Sequence, residues 1–289
     1  MKYKCRESLT AWFFILPDFV GQIVFIMLPA VLGFIISLSI WDGLGKPTFV
    51  GFENYFKMFS DPIFMKSLVI TVKYVIWFVP LNFIFSLLMA LLIREKSKGV
   101  TIFRTIYFAP TAISLISVGF VWSYMFQSNG FINSLLSNIG IEKQEFLGST
   151  DQAFYIVLAM SLYMSVGYFM IIFLGGLNDI SREYYDAAEV DGANILQKFW
   201  YISFPLLKPT SFFVLVMSFI RAFQFFDQIY ILTSGGPFYS TTNIVFYAFQ
   251  NAFQYYHFGY AAAMDFFVFL VLLILSLISF KIMKGGEIK

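Results

Sequence analysis

Six stretches of this sequence are long enough and apolar enough to cross a bilayer, and they leave little room for any other architecture. They run approximately 11–40, 68–93, 102–126, 153–177, 211–233 and 261–283. A hydrocarbon core of about 30 Å takes roughly 20 helical residues. In lipid, only helices and closed barrels satisfy the backbone, and these runs are too long and continuous for barrel strands. Composition agrees: 12% of residues are charged and 59% hydrophobic, whereas a soluble domain carries roughly 25% charged residues. The sequence therefore predicts an all-α membrane protein with six transmembrane helices. The basic opening, "MKYKCRESL", precedes an apolar run about twice the usual signal-peptide core of roughly 7–15 residues, with no small-x-small cleavage pattern after it. It reads as an uncleaved first span.

Charge placement gives the orientation. One set of loops and helix ends holds Lys2, Lys4, Arg6, Arg94, Lys96, Lys98, Arg104, Arg182, Lys198, Lys208, Lys281, Lys284 and Lys289. The opposite set holds Lys46, Lys57, Lys66, Lys73 and Lys143. Thirteen against five puts both termini in the cytoplasm. The net charge of +2 is too small to suggest nucleic acid as a partner. One cysteine, Cys5, and one histidine, His257, exclude a disulfide framework and a multi-cysteine metal site. His257 reads as a surface residue of an outer loop. Among the outer loops, 41–67 suits a short interfacial helix, and 131–139 is amphipathic and closed by Gly140.

The densest acidic cluster, Glu183, Asp186, Glu189 and Asp191, falls between spans four and five, on the cytoplasmic side. The segment "EYYDAAEVDGANILQKFWYISFPLLKP", residues 183–209, reads as two short helices. The first covers Glu183 to Glu189, with acidic residues at its dipole-positive end. Asp191-Gly192 interrupts it. A second runs from Ala193 to Tyr201, and Pro205 and Pro209 end it before span five. A solvated acidic loop is one reading. Against it stand Ile195, Leu196, Phe199, Trp200 and Ile202, which need something to pack on.

This spacing resembles the Glu-Ala-Ala loop of binding-protein-dependent ABC importer permeases. Asp186, Ala187, Ala188, Asp191, Gly192, Ala193, Gln197, Phe199, Ile202 and Pro205 take the places of that pattern. Asp186 stands where glutamate is usual and keeps the charge, and Ser181-Arg182 replaces an isoleucine-proline. The resemblance covers nearly the whole chain. It includes "WFFILPDFVGQIVFIMLPAVLGFIISLS", "FRTIYFAPTAISLISVGFVWSYMF" and "LTSGGPFYSTTNIVFYAFQNAFQYYHFGYAAAM". These are similar to the carbohydrate-uptake type, exemplified by maltose, lactose and glycerol-phosphate importer permeases.

What the resemblance implies is a type I importer permease (MetI-like) fold. Residues 1–66 would form an N-terminal span and outer interfacial segment. Residues 67–284 would form the permease core, with a cytoplasmic coupling loop at 178–209. Through Glu183, Asp186, Ala187, Ala188, Asp191 and Gly192, that loop would dock on a cytoplasmic ATPase. The chain holds no G-x-x-x-x-G-K-[ST] motif. It is therefore expected to be a non-catalytic transport subunit with no cofactor of its own, ATP and Mg being bound by the ATPase. Expected partners are a second, similar permease, two ATPase copies, an extracytoplasmic solute-binding protein and the bilayer. The expected location is a bacterial or archaeal cell (inner) membrane.

Polar residues inside spans are costly and mark functional candidates. In span four, Ser161, Ser165 and Tyr168 are spaced i, i+4 and i+7. In span five, Arg221, Gln224, Phe225 and Gln228 are spaced i, i+3, i+4 and i+7, again one helical face. Planar polar side chains and aromatic rings suit a sugar. By the resemblance, Ser161, Ser165, Tyr168, Arg221, Ala222 and Phe225 fall at substrate-contact positions. Other readings stand beside this one. The serines serve interhelical packing, or Arg221 pairs with Asp227 without touching ligand. Asp18 and Gln22, one turn apart in span one, face a neighbouring helix or a subunit interface. A self-sufficient secondary transporter would use Arg221, Asp227 and Asp265 as a relay, but would show inverted repeats and interrupted helices, which the sequence does not display clearly. Glycerol-phosphate or another polar solute is the alternative cargo of the same machinery.

Overall fold

A computed structural model describes residues 2–94 and 99–284 of the chain. Lys96, Lys98 and Lys289, used above for orientation, lie outside the described residues, as do the side chains of Lys2, Lys4, Cys5, Arg6 and Lys284. The chain is mostly helical, with four helical stretches long and apolar enough to cross a membrane: Trp12–Ser37, Pro62–Leu92, Ala153–Asn178 and Phe258–Ser279. Counting each sharply bent helix pair as one crossing brings the number up to six. It divides into two compact units, Met1–Asp61 with Tyr247–Phe269, and Pro62–Phe246 with Leu270–Lys289.

In the first unit, α1 (Lys2–Gln22) runs through a π-helical turn at Ile23–Met27 into α2 (Leu28–Ser37). The helical run thus stops three residues short of the predicted end at Ile40, because Ser39–Ile40 pairs antiparallel with Thr48–Phe49. On α1, Gln22 donates to the Asp18 carboxylate at 2.9 Å, and both side chains are exposed on this chain. Within 41–67, where a short interfacial helix is expected, the chain forms α3 (Glu53–Ser60). Its buried Asn54 donates to the carbonyls of Ser37 and Ser39 at 2.9 and 3.0 Å, which ties α3 to the end of α2. The Asp61 carboxylate accepts from the hydroxyls of Tyr247 and Tyr260, each at 2.8 Å. His257 is exposed, as expected.

The second unit is built on α4 (Pro62–Leu92) packed along α8 (Ala153–Asn178), with α12 (Lys208–Phe223) across them. Leu87, Ala90, Phe169, Phe173, Leu177, Leu207 and Val214 form one buried cluster. Buried polar residues join the helices within it. Asn82 of α4 donates to the Ser218 hydroxyl of α12 at 2.9 Å, and Ser86 donates to the Val166 carbonyl of α8 at 3.2 Å. Gly167 has a specific job. A Cβ there would overlap the carbonyl of Tyr107, so only glycine lets the backbone of α5 (Val100–Ala112) approach α8 so closely.

Two predicted spans are not single helices. Span three divides into α5 and α6 (Leu115–Met125), bent by 97°. Pro110 removes a backbone donor in the last turn of α5, and Ile113 is extended. Span five divides at Gln224–Phe226, between α12 and α13 (Asp227–Leu232). The three intervening residues are non-helical, and Asp227 opens α13 at the dipole-positive end. The amphipathic segment at 131–139 forms α7 (Phe131–Asn138), followed by Gly140 at φ +79°.

Candidate functional site

One cavity of ≈ 640 Å³ opens in the second unit, and all seven residues singled out in spans four and five line it. Ser161, Ser165 and Tyr168 come from α8 as the helical spacing predicted. The route for the others differs from the prediction. Arg221, Gln224, Phe225 and Gln228 are not one face of a continuous helix. Arg221 lies in the last turn of α12, Gln224 and Phe225 lie in the irregular segment, and Gln228 lies in the first turn of α13. They converge because the chain breaks there. Ala222, also placed at a contact position by resemblance, is fully buried and does not line the cavity.

The side chains differ in what they are free to do. The Ser161 hydroxyl donates to the Val157 carbonyl of its own helix at 2.8 Å. The Ser165 hydroxyl is buried with no hydrogen-bond partner among the described residues. A buried hydroxyl left unpaired costs about 1–3 kcal/mol. The Arg221 guanidinium lies over the Tyr168 ring at 4.4 Å and near the Phe169 ring at 5.0 Å. Among the described residues it has no carboxylate within ion-pairing distance. The expected alternative, an Arg221–Asp227 pair, is therefore not formed, although Asp227 borders the same cavity. The Phe225 ring is stacked on Tyr74 with centroids 3.5 Å apart, and Tyr74 is stacked on Phe78 at 5.3 Å.

The sequence reading missed the wall opposite. Tyr74 and Phe78 of α4, and Phe108 and Thr111 of α5, also border the cavity. The i, i+4 spacing of Tyr74 and Phe78 was a usable signal; the Phe108 and Thr111 positions depend on the bend after α5. The whole surface offers hydroxyls, amides, a guanidinium and ring faces, with one side chain of each charge. Chemistry of that kind is suited to hydrogen bonding and apolar ring contact with a neutral polar solute. Nothing in it suggests a bond-breaking step. Among the described residues no cluster of metal-ligating side chains occurs.

The acidic loop forms a second feature of the same unit. Its first helix is α9 (Arg182–Val190), with the Ser181 hydroxyl accepting from the Glu183 N–H at 3.3 Å. Gly192 follows at φ +75°, a backbone conformation that glycine adopts without strain. Asn194 and Gln197 then form a capping box that starts α10 (Ile195–Lys198). That N-x-x-Q pattern is a local start signal legible in the sequence. Beyond α10 the chain continues through a π-helical turn, Phe199–Ser203, into α11 (Phe204–Leu206). Pro205 thus does not stop the second helix, which continues through it to Leu206. The stop comes at Leu207, where the axis turns 69° into α12.

Within this loop one side is anchored and the other is open. Tyr185, Phe199 and Ile202 pack on the buried cluster. The Tyr185 hydroxyl lies 2.8 Å from the Ser203 hydroxyl, and Arg94 lies 4.3 Å over the Tyr185 ring. Lys198 pairs with Glu189 at 3.0 Å. Glu183, Asp186, Ala187, Asp191 and Gly192 are exposed and Ala188 is half-buried. Val190 and Ile195 are 89% and 86% exposed, so these apolar side chains are not covered by the chain's own packing.

A cavity lined by binding rather than catalytic groups, in a helical membrane unit, agrees with comparisons to known proteins. Residues 82–284 match the family described as "Binding-protein-dependent transport system inner membrane component". The chain is 34% identical over 281 residues to the "Probable ABC transporter permease protein YesP" of Bacillus subtilis, covering 96% of this chain and 91% of that protein. It is 33% identical over 284 residues to the "Trehalose/maltose transport system permease protein MalF" of Thermococcus litoralis, covering 97% and 96%. A subunit of a bacterial ABC transporter that imports the acidic polysaccharide alginate shares the fold, with a TM-score of 0.88 at 23% identity over 99% of both chains. The match takes in the cavity-lining residues of α8, α12 and α13 and the acidic loop between them, and on that ground this chain belongs to the family of binding-protein-dependent transport system inner membrane components.

Proposed function

We propose that this chain forms half of the translocation pathway of an ATP-driven importer for a sugar or oligosaccharide. The observation that carries this reading is the convergence of Ser165, Tyr168, Arg221, Gln224 and Gln228 on one cavity. Hydroxyl, guanidinium and amide groups match sugar hydroxyls. The faces of Tyr168 and Phe225 match the C–H face of a sugar ring. The names of relatives support the cargo class: trehalose and maltose for one, and multiple sugars for the Streptococcus mutans protein MsmF, 31% identical over 288 residues.

The remaining machinery follows from the same reading. A second permease completes the pathway, two copies of an ATPase supply the energy, and an extracytoplasmic protein delivers solute. A solved alginate transporter sharing this fold carries a pentasaccharide-bound periplasmic protein. Six crossings, with both termini and the loop at 183–209 on the cytoplasmic side, fit the lysine and arginine distribution. Glu183, Asp186, Ala187, Ala188, Asp191 and Gly192 then dock on the ATPase. Closure of the ATPase dimer moves α9 and α10 as a rigid lever against the helices that line the cavity. The setting is a bacterial or archaeal cell membrane.

The test is reconstitution of the chain in liposomes with its partner permease, ATPase and binding protein, against a panel of labelled saccharides. ATP-dependent uptake of a saccharide is expected. Uptake without the ATPase, or uptake of none of the panel, would overturn the reading.

A further inference from the structure

The interruption between α12 and α13 frees backbone groups in the interior of a membrane protein, where each needs a replacement partner. The Phe225 carbonyl has one: the side-chain amide of Asn243 donates to it. Asn243 is fully buried. Its other atom, Oδ1, accepts from the backbone N–H of Phe246 at 2.8 Å, in the first turn of α14 (Ile244–Phe253). The adjacent Ile244 N–H donates to the Thr71 hydroxyl of α4 at 3.2 Å. Asn243 is therefore held from the far side, and it holds Phe225 on the near side. Phe225 stacks on Tyr74, and Gln224 beside it borders the cavity.

We propose that Asn243 is the positioning residue of the cavity. Its amide keeps the irregular Gln224–Phe226 segment in the conformation that presents Gln224 and Phe225 to the solute. The significance for solute rests on the importer reading above; the conformational claim does not. The residue type is specific, because only a side chain with one donor and one acceptor serves both bonds. Serine retains an acceptor for the α14 N-terminus, where it is a favoured cap, but it is too short to reach the Phe225 carbonyl. Aspartate retains the cap and sets an acceptor against an acceptor.

The experiment uses the full chain in native membranes with Cys5→Ser and Gln224→Cys, probed by a methanethiosulfonate reagent without solute or nucleotide. Asn243→Ser and Asn243→Asp are each expected to raise the labelling rate of Cys at 224 by about fivefold or more, from loss of a buried hydrogen bond. A reporter cysteine at Ser137, exposed on α7, is expected to label at an unchanged rate. Asn133→Ser removes another buried amide, one that holds the carbonyls of Gln127, Ser128 and Gln144; it is expected to leave the 224 position unaffected. An unchanged rate at 224 in Asn243→Ser overturns the proposal, as does an equal rise at 137 or an equal effect of Asn133→Ser. If Asn243→Ser fails to accumulate, Thr71→Val is the milder perturbation and should raise labelling about twofold; no rise overturns the proposal. Because no solute is added, failure here is distinct from failure of uptake.

Discussion

The guanidinium of Arg221 lies 4.4 Å from the centre of the Tyr168 ring, across the junction of α12 and α8. The ring holds the cation in place while its N–H groups stay free of any carboxylate among the described residues. A cation–π contact of this kind contributes about 0.5–2 kcal/mol. Tyr168→Phe keeps the ring and should change the half-saturating solute concentration less than about twofold, whereas Tyr168→Ala should raise it about tenfold. Arg221→Ala should alter the solute dependence of ATPase activity in the assembled transporter. ATPase titrations with solute measure all three; an unchanged dependence in Arg221→Ala removes the residue from the site.

At Gly192 the backbone sits at φ +75°, and proline is confined to about −65°. Gly192→Pro should therefore abolish uptake by misaligning α9 and α10, while the chain still inserts. Reversing the exposed charge with Asp186→Lys should do the same without changing the fold. Immunoblots of membranes and transport assays separate insertion from coupling. Normal uptake in either variant would count against docking by this loop.

Gly167 faces the Tyr107 carbonyl with no space for a Cβ. Gly167→Ala must push α5 away from α8, and overpacking of this sort costs about 1–3 kcal/mol. The detergent-solubilised protein should unfold at lower temperature. Gly175→Ala, on the same helix with open space around it, should be neutral or slightly stabilising in the same thermal scan.

The Asn82–Ser218 hydrogen bond joins α4 to α12 inside the unit. Interhelical bonds of this type average about 0.6 kcal/mol in membrane proteins. A double-mutant cycle with Asn82→Ala and Ser218→Ala should return a coupling of about that size, read from unfolding in mixed detergents. A coupling of zero would mean the two side chains do not depend on each other.

Much of this was legible before any coordinates. Ser161, Ser165 and Tyr168 were readable because α8 is an unbroken helix, so spacing translates directly into a shared face. The two short helices around Gly192 were readable because a carboxylate cluster, an Asp-Gly step and a restart are local features. The helix runs on through Pro205, against the local expectation that proline ends it, and the π-helical turn at Phe199–Ser203 directly before it is not legible from residue type. The breaks at Ile113 and Gln224–Phe226 lie beyond a hydropathy reading, because each span stays apolar on average even where Arg221, Gln224, Asp227 and Gln228 cluster at the second break.

Local periodicity and charge were enough, then, to indicate a helical membrane protein, its candidate polar residues and the two short helices of the acidic loop. Tertiary structure alone decided that Gln224 and Phe225 reach the cavity from a broken helix, that Tyr74 and Phe78 form its other wall, and that Arg221 rests on aromatic rings rather than on Asp227. The physical reason is the range of the interactions. Helical periodicity and helix capping act within a few residues of sequence. The bond that replaces the lost helical partner of Phe225 comes from Asn243, 18 residues away, and its geometry exists only once the helices have packed.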